Sequence, residues 1–219
     1  MSKKEPSKRL LIVEGNDDIS LISAIMRSRI EGWETPQQFL VDIAMAGRES
    51  STGGKSAITA KSAYTKIKSG RSHVGFVLDA DNDCAAAKQR LENVVAEIKG
   101  LCDADGLECP KIDFWVMPNN ASNGMIEDFA LTLIPGSSLL QHAEDSSTSA
   151  KGSHAAPFRN GDGAQGANHS SKAKIRTWLA WQDEPGMRMG HAVAAKVIDP
   201  RSPGADAFVN WFNALFELP

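Results

Sequence analysis

The run Leu10-Leu11-Ile12-Val13, four large apolar residues ended abruptly by Glu14, constrains the fold more than any other feature. A strand with one wet face alternates apolar and polar residues, whereas an unbroken apolar run predicts a strand buried on both faces. Gly15 and Asn16 then turn the chain. Asp17 is placed to cap a helix reaching about Arg29, in which Ile22, Ile25, Met26 and Ile30 recur at helical spacing. The same strand-then-helix unit follows three more times. Residues 39–43 predict a second strand, and a Gly/Ser loop from Gly47 to Gly54 leads to a helix from about Ser56 to Lys68. Residues 74–78 predict a third strand ending at Asp79, followed by a helix with Ala87, Leu91, Val94, Val95 and Ile98 on one stripe. Residues 112–117 predict a fourth strand closed by Pro118. A helix from about Met125 to Leu133 comes next, stopped by Pro135 and Gly136. Four such units in succession predict an α/β fold with a mostly parallel sheet flanked by helices.

Composition changes beyond this core, which spans residues 8–134. Residues 135–170 are rich in Gly, Ser, Ala and Asn and are expected to form a flexible loop, either a lid over a site or a plain insertion. Residues 171–219 read as a helical extension packed on the core. Ile175, Trp178, Leu179 and Trp181 share one helix, and Phe208, Trp211, Phe212, Leu215 and Phe216 form the apolar face of another. A protein partner at these aromatic-rich helices is the alternative use of that face.

The 24 Lys and Arg against 27 Asp and Glu leave a net charge of -3, so no broad positive field gathers nucleic acid from a distance. A local basic groove remains compatible with that balance. No apolar run approaches the roughly 20 residues that cross a bilayer, which excludes a membrane partner by this route. Leu10–Val13 is too short for the core of a secretory signal. Cys84, Cys102 and Cys109 match no zinc-ligand spacing and read as free thiols in a reducing, cytoplasmic setting. The five His residues likewise fit no metal-binding pattern.

Function in open parallel sheets collects at the carboxyl ends of strands. Two of those ends are acidic here. Glu14 directly terminates the first strand, and Asp79-Ala80-Asp81-Asn82-Asp83 terminates the third. If the chain stays extended, Asp79, Asp81 and Asp83 fall on one side, and carboxylates so close repel unless a cation joins them. An all-oxygen set selects a hard ion, so Mg2+ (or Mn2+) is the expected cofactor. Asp83 also reads as the N-cap of the following helix. An EF-hand is excluded, because its sixth and twelfth positions would be Cys84 and Arg90. A third acidic element, Glu127 with Asp128, opens the helix after the fourth strand; it serves either as a further metal ligand or as a favourable charge at a helix start.

Glu14-Gly15 and the Asp79-x-Asp81 pair, with the strand-helix order around them, resemble the Toprim fold of topoisomerases, bacterial primases and OLD-family nucleases. The resemblance implies that Glu14 transfers a proton and that Asp79 and Asp81 hold magnesium, with Asp83 matching a third acid of some members. The stretches LIVEGNDD, MPNNASNGMIEDF and AKIRTWLAWQDEPG are similar to a small Toprim-like bacterial family of uncharacterised function, the DUF3226 type, over nearly the whole chain. A topoisomerase is disfavoured, since Tyr64, the one tyrosine, lies on an amphipathic helix and reads as packing.

Gly53-Gly54-Lys55-Ser56 ends like a P-loop, but the first glycine of that motif would have to occupy Glu49. Gly53, Gly54 and Lys55, with Arg48, are expected instead to contact a phosphate as a small anion nest, or to form a solvated loop. Taken together, these residues predict Mg2+-dependent phosphodiester or nucleotidyl-transfer chemistry, nuclease-like, on the phosphate backbone of DNA or RNA or on a nucleotide. Asp79, Asp81, Asp83 and Glu127 are the metal set, Glu14 is the acid or base, and Lys172 is a further available cation. One alternative is a non-catalytic accessory protein that binds nucleic acid or protein. The other is a phosphatase or phosphotransferase with Asp79 as nucleophile and Asp81 as acid.

Overall fold

The computed structural model describes residues 5–35, 38–46, 58–153 and 169–218. Within them, β1 (Arg9–Val13), β2 (Asp42–Met45), β3 (His73–Asp79) and β4 (Lys111–Met117) form a parallel sheet in the order β2-β1-β3-β4. The crossovers carry α1 (Asn16–Arg29), α2 (Ala60–Ile67) and α3 (Cys84–Ala104). After β4 come α4 (Ile126–Thr132), α5 (Ser138–Ser153), α6 (Ser170–Ala180), α7 (Met189–Ala194) and α8 (Asp206–Phe216).

The apolar run of β1 does what an unbroken run requires, with Leu10 through Val13 all buried. Its pleat divides them between two cores. Leu11 and Val13 join Val77, Trp115 and Met117 under α1, α4 and α8, while Leu10 and Ile12 join Val74, Phe76 and Leu78 under α2 and α3. The aromatic face of α8 is buried in the first of these, where Phe208, Phe212, Leu215 and Phe216 are at most 2% exposed. Gly75 on β3 permits that approach. A Cβ there would lie 2.7 Å from Leu11 Cδ1, 3.0 Å from a Leu215 methyl and 3.1 Å from the Phe216 ring. Trp211 stays partly exposed and donates its indole N–H to Asp113 Oδ2 at 2.9 Å.

Several elements differ from the sequence expectation. The second strand begins at Asp42 rather than at residue 39, because Phe39 bridges back to Glu34 and the Leu40 N–H bonds the Trp33 carbonyl before the ladder to Leu10 starts. Asp17 does not cap α1. Gly15 is the N-cap, the Asp18 carboxylate reaches back to its N–H, and Asp17 instead pairs with Arg176 at 2.7 Å. Helix α2 starts at Ala60, where Thr59 Oγ1 caps the Ser62 N–H at 3.2 Å. Residues 138–153, expected within a loop, form α5, which rests on α6 through Ala143, Leu139, Leu140 and a Glu144–Lys174 ion pair of 2.7 Å. Residues 154–168 of that expected loop lie outside the described residues. Cys84, Cys102 and Cys109 are free thiols. No helix among the described residues is long and apolar enough to cross a membrane.

Candidate functional site

Because β1 and β3 are parallel neighbours, the residues that end them arrive at the same edge of the sheet. Glu14 and Asp79 meet there, with the Asp79 N–H donating to Glu14 Oε1 at 3.0 Å. Helix α4 begins opposite them, and the Ile126 N–H donates to Asp79 Oδ1 at 2.9 Å. A helix start presents unpaired N–H groups, so a carboxylate at a strand end is a natural acceptor. Helices α1 and α4 open with one shared device. Asp18 Oδ2 accepts the Gly15 N–H at 3.0 Å, and Asp128 Oδ2 accepts the Met125 N–H at 2.7 Å. In each case the third helical residue reaches back to the cap, a half of the capping box.

Glu127 is carried into this edge by α4 and is 2% exposed, with Lys172 Nζ of α6 at 3.2 Å from its Oε1. Asp18 is nearly as buried, at 6%. Burial pushes the Asp18 carboxyl up to about 7, and the charge of Glu14 adds to the rise. The N–H groups of its own turn and Gly15 pull the other way, and Glu127 pushes it slightly higher. Asp79 is raised well above the ordinary carboxylate range, first by desolvation and then by the charges of Asp18, Glu14, Glu127 and Asp81. The edge is therefore a nest of carboxylates that feel one another through a low-dielectric interior.

Asp81 and Asp83 do not extend that nest in the way their spacing suggested. The extended conformation ends at Asp79, and Asp81 adopts a left-handed φ of 51°. Its N–H and C=O both pair with Gly124, each bond 2.8 Å long. Gly124 has a φ of 141°, and a Cβ on it would lie 2.9 Å from Asp128 Oδ2, so this junction depends on glycine. Asp83 turns away to cap α3, its Oδ1 accepting the Ala86 N–H at 2.9 Å. Asn123 completes the clasp, accepting the Cys84 N–H at 2.9 Å and donating to the Asn82 carbonyl at 2.6 Å.

This geometry overturns the metal expectation. Among the described residues, no group of three or more His, Cys, Asp or Glu side chains is arranged to hold a metal ion. The physical reason lies in the partners. Backbone N–H groups take an oxygen each of Glu14, Asp18 and Asp79, Lys172 holds Glu127, and Asp83 is spent on a helix cap. The assignment of Asp79, Asp81, Asp83 and Glu127 to Mg2+ or Mn2+ is corrected accordingly. So is the Mg2+-dependent nuclease or nucleotidyl-transfer activity built on it. Tyr64 packs, with its hydroxyl on the Leu101 carbonyl at 3.0 Å and on Asp105 Oδ2 at 2.8 Å. Arg48, Gly53, Gly54 and Lys55 lie outside the described residues.

Two members of the edge were missed in the sequence. Asp18 was passed over in favour of Asp17, although its place three residues after Gly15 is the signal of a reach-back cap. Asn123 sat in a polar run with nothing to mark it, because its partners come from a loop about 40 positions earlier. A family model described as a protein of unknown function, DUF3226, matches residues 8–217, and the chain belongs to that family. No curated protein and no solved structure matches the chain.

Proposed function

We propose that the protein is a Toprim-like α/β protein that acts by binding, as a non-catalytic accessory protein, and that its carboxylate edge receives a cationic side chain of a protein partner. The Toprim-like reading is supported by Glu14 and Asp79, which meet at the carboxyl ends of adjacent parallel strands as the resemblance implies. One observation carries the binding reading: Glu14, Asp18, Asp79 and Glu127 crowd one edge, where Lys172 already pairs with Glu127. Burial and the neighbouring charges keep Asp18 and Asp79 protonated to higher pH, which favours a further positive charge at the edge. A lysine or arginine would supply one. A phosphate would not, since without a bridging metal its charge has the same sign as the edge. A phosphoryl-aspartate route is disfavoured as well, because a carboxyl that holds its proton is a weak nucleophile.

Cation binding should release protons, so affinity should rise with pH through the region near 7 where Asp18 titrates. The test is calorimetry with an oligolysine peptide, the same peptide acetylated on every lysine, and a single-stranded oligonucleotide. Only the free-amine peptide should bind, more tightly at pH 8 than at pH 6. Asp79→Asn, which keeps an acceptor for the Ile126 N–H, should weaken binding about tenfold, the loss of roughly one charged contact. Equal binding of the acetylated peptide, or an unchanged affinity in Asp79→Asn, would sink the proposal.

A further inference from the structure

A cavity of about 510 Å³ opens beside β2, and none of the edge carboxylates lines it. Its size lies in the range of small-molecule sites, roughly 300–1,000 Å³. Ile19, Trp33, Phe39 and Ile43 make most of its wall apolar. Among the described residues strand β2 pairs with β1 alone, and its Asp42, Ile43 and Ala44 line the cavity. Three charged side chains complete the lining. Asp42 and Arg71 neutralise each other at 2.6 Å, and the Ser7 N–H donates to the same Asp42 oxygen at 3.0 Å. Lys66, half-buried in the last turn of α2, has no partner among the described residues. The lining therefore carries one surplus positive charge.

Two residues of the lining also carry a shielded donor without an acceptor. Trp33 is 2% exposed, and its indole N–H and the Nε–H of Arg71 are both buried with no hydrogen-bond partner. Both atoms are shielded from solvent and do not reach the cavity surface, so the charge an occupant can meet among the described residues is that of Lys66. We infer that this cavity binds a small monoanionic organic acid with a compact apolar body. The body lies on Trp33, Phe39 and Ile19, and the carboxylate lies toward Lys66. A dianion such as a phosphate monoester exceeds the one charge on offer, and a neutral hydrocarbon leaves Lys66 desolvated without a partner.

The probe is 1-naphthoate, compared with neutral 1-naphthamide, by calorimetry and by saturation-transfer NMR on the full chain. The wild type should bind the acid about tenfold more tightly than the amide, the size of one charge-assisted contact. Lys66→Met should erase that preference while the amide still binds. Ser23→Leu, which fills the cavity from α1, should weaken both ligands. Absence of naphthoate binding at millimolar concentration, or an acid preference that persists in Lys66→Met, would overturn the inference. The carboxylate edge plays no part, so Asp79→Asn should bind naphthoate as the wild type does.

Discussion

At the start of β2, Asp42 lies 2.6 Å from the Arg71 guanidinium and accepts the Ser7 N–H, whereas at the end of β3 Asp79 has backbone N–H groups and other carboxylates around it. Both are aspartates at strand ends, partly shielded from water. They differ in who supplies the positive charge. At the first, a guanidinium delivered by the loop before β3 cancels the charge and ties three chain segments together, since Arg71 also reaches the Ser7 carbonyl. At the second, the contacts to Asp18 and Asp79 are backbone N–H groups at helix starts, and burial drives these two carboxyls toward their protonated forms. An end with its charges cancelled is built for stability. One that buries carboxyls such as Asp18 and Asp79 beside like charges destabilises the fold as they ionise, and such an arrangement is maintained where a ligand can repay it.

Arg71→Ala should break this contrast with the largest effect. The guanidinium side chain is 12% exposed and Asp42 is 23% exposed, so removing Arg71 leaves a shielded carboxylate without its counter-ion. A cost of about 3 kcal/mol in urea unfolding is expected, near the low end for breaking a buried pair. A loss below about 1 kcal/mol, the level of an exposed pair, would erase the distinction between the two ends.

Asp18→Asn should act in the opposite direction. The folded carboxyl titrates near 7 while the unfolded one titrates in the ordinary aspartate range, so between those values the folded state holds the extra proton. Stability from this group is therefore full at low pH, is lost as pH rises through about 7, and is flat above. Asparagine retains the acceptor for the Gly15 N–H and carries no charge. The substitution should stabilise the protein by on the order of 2 kcal/mol at pH 8 and by little at pH 4. Thermal unfolding across that range checks it. A stabilisation independent of pH would mean that Asp18 is not the titrating group.

The parallel sheet was legible because its information is local. Apolar runs such as Leu10–Val13 announce doubly buried strands, and the intervening stripes announce helices. Glu14 and Asp79 were legible for the same reason, since each directly ends a run and parallel pairing delivers both to one edge. What failed depended on partners distant in sequence. Asp81 turns left-handed because Gly124, 43 residues later, pairs with its backbone, and that bend defeats the period-two spacing of the three aspartates. Helix α5 was obscured by a Ser- and Gly-rich composition, and its stability comes from contacts with α6 rather than from its own residues. The unpaired donors around Trp33 and Arg71 are invisible in sequence, because accessibility and pairing exist only in three dimensions.

Asp83 gives the smallest expected effect and separates the two uses of a carboxylate within four residues of Asp79. Its oxygen accepts the Ala86 N–H at the start of α3, and the charges that raise the Asp79 carboxyl are those of Asp18, Glu14, Glu127 and Asp81. Asp83→Ala should cost about 1 kcal/mol, the usual loss for an N-cap, and Asp83→Ser should recover most of it. Neither should change oligolysine affinity at pH 8 more than about twofold, whereas Asp79→Asn, at the edge itself, should cost about tenfold. If Asp83→Ala weakened the peptide as strongly as Asp79→Asn, the aspartate cluster would have to act as one unit. The division drawn here between a capping carboxylate and a binding one would then be wrong.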